Sequence, residues 1–186
     1  NQRREIYLSM NDTIAKLHNV DFDKVNLADY GKHENYMDRQ IHRWTKQYKD
    51  SETQMIPEIN ELIEWLPKNI PSDQETTIVH GDFRLDNMIF DPITHEVKAI
   101  LDWELSTLGN PIADFTYHMM SWRLPAGAKG LGMMGSDLKS LNIPSESEYA
   151  ELYYKKTGRE KIDNWDFCRC VLNYCYHSVK FSHHIF

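Results

Sequence analysis

The stretch VHGDFRLDNMIFD, residues 79–91, places a histidine, an arginine, an asparagine and three aspartates among apolar residues. Burying such polar groups without partners costs free energy. Two interpretations account for them. Either the polar residues lie in a loop between two short strands and carry out chemistry there, or the stretch is an ordinary acidic turn. The sequence on either side decides between the two.

Apolar residues recur at helical spacing on both sides of this stretch. We predict six helices, over residues 3–18, 34–49, 55–66, 112–124, 144–158 and 163–186. The fifth helix begins with Ser145 and Glu148, which are spaced as in a capping box, and it stops at Gly158.

Between these two groups of helices the period of the sequence changes. The segments TTIVH (76–80), NMIF (87–90) and EVKAILDW (96–103) are apolar or β-branched, and they predict short strands. The turn DPIT (91–94), with Pro at its second position, joins the last two strands. The polar loop therefore falls inside a small cluster of strands, and we predict an α+β domain that is mostly helical.

The composition of the chain excludes several classes of protein. Its 186 residues, 41% hydrophobic and 26% charged, are enough for one domain with a sizeable core. The net charge of −7 argues against a nucleic-acid partner, since such proteins normally carry a basic patch. No apolar run is long enough to span a bilayer, so we expect no membrane insertion.

The three cysteines, Cys168, Cys170 and Cys175, are clustered in one apolar segment. Their number and spacing fit neither a disulfide framework nor a zinc ribbon. We interpret them as reduced, buried thiols that suit a reducing compartment. The expected location is a bacterial cytoplasm or, in a eukaryote, the cytoplasm, a mitochondrion or a peroxisome.

The spacing of three polar residues indicates phosphoryl transfer. Four residues separate Asp82 from Asn87, and Asp102 follows fifteen positions after Asn87. Kinases use an aspartate to accept the proton of the acceptor hydroxyl, then an asparagine and a second aspartate to hold magnesium against the nucleotide phosphates. Oxygen ligands of this kind suit Mg²⁺. The predicted hairpin between Asn87 and Asp102 returns the chain, so that the two ligands can converge.

Three motifs in order make the resemblance specific. HGDFRLDN (80–87), ILDWE (100–104) and LGNPIADF (108–115) resemble the aminoglycoside phosphotransferase and choline kinase-like family of the protein kinase-like superfamily. They are most similar to the kinase-like domain found fused to, or encoded near, acyl-CoA dehydrogenases. The resemblance covers about residues 5–180.

The resemblance implies an enzyme that uses ATP and Mg²⁺ to phosphorylate a hydroxyl group of a small molecule. It implies Asp82 as the catalytic base and Asn87 and Asp102 as the magnesium ligands. The most similar subfamily implies a hydroxyacyl substrate, such as a hydroxyacyl-CoA, and a fused or associated acyl-CoA dehydrogenase as partner. The helices after residue 110 and the glycine-rich segment 126–135 would form the acceptor site.

The same resemblance implies supporting roles for five further residues. His80 matches a residue that supports the catalytic loop, and Gly81 fits a tight backbone bend. Glu104 stands where the family often keeps an acid near the metal, and Asp114 matches a structural aspartate that braces the loop. Arg84 faces an anionic substrate or pairs with a neighbouring acid.

The sequence departs from the family pattern in its first half. The glycine-rich loop, the strand lysine and the helix glutamate of the family's N-terminal lobe are not found before Asp82. We therefore expect residues 1–186 to be a single domain, the C-terminal lobe alone, and to be inactive as a fragment. The chain opens without Met and ends on the apolar KFSHHIF, so we expect both ends to continue in a longer protein.

Two other functions stay open at this point. A kinase-like lobe can serve as a non-catalytic binding or scaffolding module, although the intact motifs argue against this. A metal-dependent hydrolase using His80 and Asp82 would need further histidine or acidic ligands.

Other polar residues have simpler interpretations. We interpret Asp86 as a local loop group and Asp91 as the start of the turn at Pro92. The histidines near the C-terminus lack partners at ligand spacing, so we expect no metal site there; they are His177, His183 and His184.

Overall fold

The computed structural model describes residues 2–52, 55–71, 75–126 and 132–159, together with residues 167 and 170. Within them lie five α-helices: α1 (Gln2–His18), α2 (Tyr36–Ser51), α3 (Pro57–Trp65), α4 (Pro111–His118) and α5 (Glu146–Thr157). The same residues contain four short strands: β1 (Thr77–Val79), β2 (Met88–Phe90), β3 (Val97–Ile100) and β4 (Thr107–Gly109). The predicted final helix, apart from residues 167 and 170, and the three histidines near the C-terminus lie outside the described residues.

The strands pair as two separate antiparallel ribbons. In the first, β1 pairs with β4, with Ile78 opposite Leu108. In the second, β2 pairs with β3, with Met88 opposite Ile100. The second ribbon is the hairpin expected from the sequence, and Asp91 forms its turn by accepting hydrogen bonds from the backbone N–H groups of Ile93 and Thr94 at 2.9 Å.

The strand β4 was not among the strands predicted from the sequence. Leu108 and Gly109 are buried and paired with β1, and the chain turns only at Asn110. Gly109 suits this place because a Cβ atom there would lie 2.5 Å from the ring of Tyr36. The absence of a side chain therefore lets α2 pack against the ribbon.

The helix ends follow local sequence signals. Asn110 caps α4, because its Oδ1 accepts hydrogen bonds from the N–H groups of Ile112 (2.9 Å) and Ala113 (3.1 Å). Ser145 and Glu148 form the predicted capping box of α5, and Gly158 ends that helix with a φ of 71°. After His118, α4 continues as a 3-10 turn at Met119–Trp122.

The part of the core next to the polar loop lies where α1, α4 and α5 meet. Phe115 of α4 stacks on Tyr153 of α5, with ring centroids 3.8 Å apart, and both side chains are fully buried. Met10 and Ile14 of α1 belong to the same buried cluster. This packing holds α4 in place, and α4 lies directly against the polar loop. Among the described residues, no helix is long and apolar enough to cross a membrane.

Candidate active site

The loop of residues 80–87, which we call the catalytic loop after the role predicted for it, joins β1 to β2. Its second residue, Gly81, has a φ of 83°, a conformation that favours glycine. A Cβ atom at Gly81 would lie 2.7 Å from the carbonyl oxygen of Leu105. The bend at the start of the loop therefore depends on a residue without a side chain.

Asp114, in the first turn of α4, binds the backbone of this bend. Its carboxylate accepts hydrogen bonds from the N–H groups of His80 and Gly81, both at 2.8 Å. The Nε2 atom of His18, in α1, lies 3.1 Å from the same carboxylate. Burial opposes ionisation of Asp114, but the interactions with His18 and the two N–H groups outweigh it, so its pKa lies below the ordinary value.

His80 connects the catalytic loop to the end of β3. Its Nδ1 accepts a hydrogen bond from the backbone N–H of Asp82 (3.2 Å), and its Nε2 donates to the carbonyl oxygen of Leu101 (2.9 Å). The ring is fully buried and packs against Trp103, with centroids 4.8 Å apart. Both ring nitrogens are thus occupied by backbone groups, which makes His80 a support for the loop.

Asp82 is the residue on which the hydrogen bonds of the loop converge. The Nδ2 group of Asn87 donates to Asp82 Oδ2 and to the Asp82 carbonyl oxygen, both at 2.9 Å. The hydroxyl of Tyr117 donates to Asp82 Oδ1 at 2.6 Å. The side chain keeps 18% of its surface exposed, so an incoming group can reach it.

Arg84 pairs with acids of its own loop. Its Nη2 lies 2.6 Å from Asp86 Oδ2. Its Nε lies 3.3 Å from Asp82 Oδ1, close enough for an ion pair but misaligned for a hydrogen bond. Of the two roles expected for Arg84, the structure contains the pairing with neighbouring acids. Asp86 is a local loop group, as the sequence indicated.

The hairpin places Asp102 next to Asn87. The carbonyl oxygen of Asn87 accepts a hydrogen bond from the N–H of Leu101 at 2.8 Å, and Asp102 is the next residue. Asp102 is exposed and has left-handed backbone angles, with φ 63° and ψ 59°. Non-glycine residues in this conformation occur often at functional sites. The structure therefore brings Asn87 and Asp102 to one end of the hairpin.

The donor atoms at this end of the hairpin fit magnesium. Because Asn87 commits its Nδ2 group to Asp82, its Oδ1 is the atom that can face a cation. The exposed Asp102 carboxylate is a second oxygen donor, and Glu104 follows in the exposed turn Trp103–Leu105. Mg²⁺ typically takes one or two protein carboxylates and completes its shell with phosphate oxygens and water.

A second kind of metal site, built only from histidine, cysteine and acidic side chains, would be needed for a metal-dependent hydrolase. Within the described segments, no three such residues stand close enough together to hold a metal ion. A hydrolase based on His80 and Asp82 would need such a set, and both nitrogens of His80 already have partners. The described part of the chain gives that function no support.

Two residues of the site were not identified from the sequence. Tyr117 binds Asp82, and His118 lies with its Nδ1 3.1 Å from the carbonyl oxygen of Phe83. The Nε2 of His118 accepts from the hydroxyl of Tyr149 (2.7 Å), and burial lowers the pKa of His118 to about 4. The available signal was their spacing of three and four residues from Asp114, which places all three side chains on neighbouring parts of one helix face.

Comparison with protein families gives one match over most of the chain. The model described as "Phosphotransferase enzyme family" matches residues 1–152. A mouse (Mus musculus) relative, acyl-CoA dehydrogenase family member 10, is 46% identical over 167 residues, which make up 89% of this chain and 16% of the relative. The chain thus spans about a sixth of that protein.

Two of the solved structures with a similar fold each cover more than nine tenths of this chain. A protein of Ralstonia eutropha, described as a putative aminoglycoside phosphotransferase, has a TM-score of 0.92 and 47% identity, over 97% of this chain and 55% of that one. An aminoglycoside-3'-phosphotransferase of type VIII has a TM-score of 0.66 at 15% identity, over 93% of this chain and 61% of that one. The second likeness concerns the fold alone.

Proposed function

The chain belongs to the phosphotransferase enzyme family, and from this premise we propose that it carries the catalytic loop of a small-molecule kinase. The reaction is transfer of the γ-phosphoryl group of ATP to a hydroxyl group. One observation carries the proposal. Asp82 and Asn87 are joined by hydrogen bonds, and the bond from Leu101 to Asn87 brings the next residue, Asp102, to the same end of the hairpin. This supports the proposal, because protein kinases use an aspartate, an asparagine and a second aspartate in this order.

Asp82 acts as the base in this proposal. A carboxylate has room for about four hydrogen bonds, and Asn87 and Tyr117 occupy one position on each oxygen. The remaining positions can accept the acceptor hydroxyl. As the hydroxyl oxygen forms its bond to the γ-phosphorus, the bond from that phosphorus to ADP breaks and the hydroxyl proton passes to Asp82.

Asn87 and Asp102 would hold Mg²⁺, which neutralises charge on the phosphates. Arg84 is 36% exposed beside Asp82, and its charge would lie near the transferred group if Asp86 released it. In this reaction the protein forms no covalent intermediate. Its contribution is to position the groups and to stabilise charge.

A more specific part of the proposal concerns the molecule that accepts the phosphoryl group. The name of the mouse relative associates this domain with an acyl-CoA dehydrogenase, and we take a hydroxyacyl-CoA as the first candidate acceptor and a fused or associated acyl-CoA dehydrogenase as the partner. We keep the cytoplasm, or a mitochondrion or peroxisome, as the proposed location.

We also propose that residues 1–186 are the C-terminal lobe of a two-lobed enzyme and are inactive alone. Three apolar side chains beside the site are about half exposed: Ile89 (50%), Leu101 (44%) and Leu105 (46%). Exposed apolar side chains at these positions suit a surface that a nucleotide and a second lobe cover. The second lobe would supply the remaining contacts to the nucleotide.

The test is turnover by the full-length protein that contains this chain. ADP release is measured with ATP and Mg²⁺ and a panel of hydroxyacyl-CoAs, amino alcohols and aminoglycosides. Asp82→Asn keeps the size of the side chain but removes the base, and we expect acceptor-dependent ADP release to fall by about 100-fold or more.

Asp91→Asn is the matched control, since the oxygen of an asparagine side chain can still accept the two N–H bonds of the hairpin turn. This variant should turn over at the wild-type rate. If no acceptor on the panel stimulates ADP release and ATP does not bind in the presence of Mg²⁺, the kinase proposal fails and a scaffolding role replaces it.

A further inference from the structure

One face of α4 binds four consecutive residues of the catalytic loop. Asp114 binds the N–H groups of His80 and Gly81, as described above. Three and four residues later, Tyr117 binds the Asp82 side chain and His118 binds the carbonyl oxygen of Phe83. Only one of these contacts, the one made by Tyr117, reaches the side chain of the proposed base.

We propose that Tyr117 is a positioning residue that orients the Asp82 carboxylate for phosphoryl transfer. The inference rests on the proposed function of Asp82. The carboxylate is held from two sides: Asn87 Nδ2 donates to Oδ2 at 2.9 Å, and the Tyr117 hydroxyl donates to Oδ1 at 2.6 Å. Two bonds to different oxygens fix both the position and the rotation of the carboxylate plane.

Arg84 is a second possible partner for the same oxygen of Asp82. Its Nε is buried 3.3 Å from Asp82 Oδ1 and makes no hydrogen bond within the described residues. A buried donor without a partner is unfavourable, so Arg84 has a reason to turn onto Oδ1. The Tyr117 hydroxyl already occupies that oxygen at a shorter distance. This bond holds the carboxylate in an orientation in which Arg84 Nε stays misaligned with the second acceptor position of Oδ1.

The Tyr117 hydroxyl is suited to donate a hydrogen bond and not to exchange a proton. Burial and the neighbouring Asp82 carboxylate raise its pKa above the ordinary value for tyrosine, so the phenol keeps its proton at working pH. Its helix is held firmly as well. Phe115 stacks on Tyr153, and His118 binds the hydroxyl of Tyr149.

The first test is the kinetics of Tyr117→Phe in the full-length protein. Loss of the hydroxyl should lower kcat by about tenfold, because a misoriented Asp82 carboxylate stabilises the transition state less well. The KM values for ATP and acceptor should stay within about twofold of wild type. Tyr48→Phe is the matched control, since the Tyr48 hydroxyl donates to Glu52 Oε1 at 3.4 Å, at the C-terminal end of α2 and outside both the catalytic loop and α4.

Two kinetic outcomes would overturn the proposal. An unchanged kcat would mean that the hydroxyl does not position the base. A raised KM for the acceptor with unchanged kcat would mean that Tyr117 binds substrate. If the wild-type protein turns over no acceptor, it is the function proposed for Asp82 that fails, and the structural test below decides separately whether Tyr117 orients this carboxylate.

The second test does not need turnover. A crystal structure of the Tyr117→Phe variant should place Arg84 Nε within hydrogen-bond distance of Asp82 Oδ1, about 2.9 Å, with the carboxylate rotated relative to Asn87. A carboxylate in the same rotamer, still 3.3 Å from Nε, would refute the proposed competition.

Discussion

At the scale of single residues, the site depends on a few backbone conformations that most side chains do not tolerate. Gly81 has a positive φ, and the carbonyl oxygen of Leu105 fills the space where a Cβ atom would be. Asp102 has left-handed angles although it has a Cβ atom. The first is a glycine for steric reasons, and the second carries strain at a proposed metal ligand, where such strain is often found.

Replacing Gly81 with alanine should destabilise the protein by about 2 kcal/mol or more. About 1 kcal/mol comes from the positive φ, and the rest comes from the contact with the Leu105 carbonyl oxygen. Urea unfolding measures the change. Gly158→Ala is the control, because Gly158 has a φ of 71° but nothing lies within 4 Å of its added Cβ. Equal losses in both variants would show that the contact at Gly81 contributes nothing.

At the scale of elements, α4 is the helix that organises the site. Asn110 fixes its start immediately after β4, and the helix then presents Asp114, Tyr117 and His118 to the catalytic loop. The exit from β4 and the start of α4 share residues 109–111, so the ribbon and the helix are held at a fixed angle. A substitution of Asn110 that shifts the start of α4 would therefore also shift the three side chains that bind the catalytic loop.

Asn110→Ala should lower the free energy of unfolding by about 1–2 kcal/mol, at the upper end of the range for helix caps. Asn110 is buried, so water does not readily replace the two lost hydrogen bonds to Ile112 and Ala113. Ser145→Ala, which removes the cap of α5 at a partly exposed position, should cost less. Chemical denaturation of both variants gives the comparison, and a smaller loss at Asn110 would contradict it.

At the scale of the whole molecule, the likeness to kinase-like structures confirms the predicted α+β fold and the predicted family resemblance. A buried series of hydrogen bonds joins distant parts of the chain. The hydroxyl of Tyr153 in α5 bonds His18 in α1, His18 bonds Asp114 in α4, and Asp114 accepts from the backbone of the catalytic loop. The core and the site therefore share one set of hydrogen bonds, and the stability of the fold should depend on the charge of Asp114.

The dependence on pH follows from the direction of the pKa shift. The pKa of folded Asp114 lies below its ordinary value of 3.8, so its contribution to stability is present above that value and is lost as pH falls through the lower folded pKa. Asp114→Asn should cost about 1–3 kcal/mol at pH 7, because the amide matches fewer of the surrounding N–H donors. This difference from wild type should shrink below about pH 4.

Urea unfolding of wild type and Asp114→Asn between pH 7 and pH 2 measures that difference. Asp38→Asn, at an exposed aspartate of α2, is the control and should remain close to wild type at every pH. A cost for Asp114→Asn that stays constant down to pH 2 would show that the charge of Asp114 does not stabilise the fold.

The sequence by itself determined the helices with clear apolar periodicity, the capping box at Ser145, the β2–β3 hairpin and the spacing of Asp82, Asn87 and Asp102. These features depend on interactions between residues close together in the chain, and local geometry fixes them. The roles of the three site residues remain predictions for the experiments above.

Only the tertiary structure decided which distant residues meet. Val79 of β1 pairs with Thr107 of β4. The side chain of His18 contacts that of Asp114, 96 residues later in the sequence. The hydroxyl of Tyr117 binds Asp82, which lies 35 residues earlier in the sequence. No local pattern encodes these contacts, because they exist only once β1 has paired with β4 and the faces of α1, α4 and α5 have packed. The sequence thus supplied the reactive groups, whereas the packing of the helices decided how the proposed base is held.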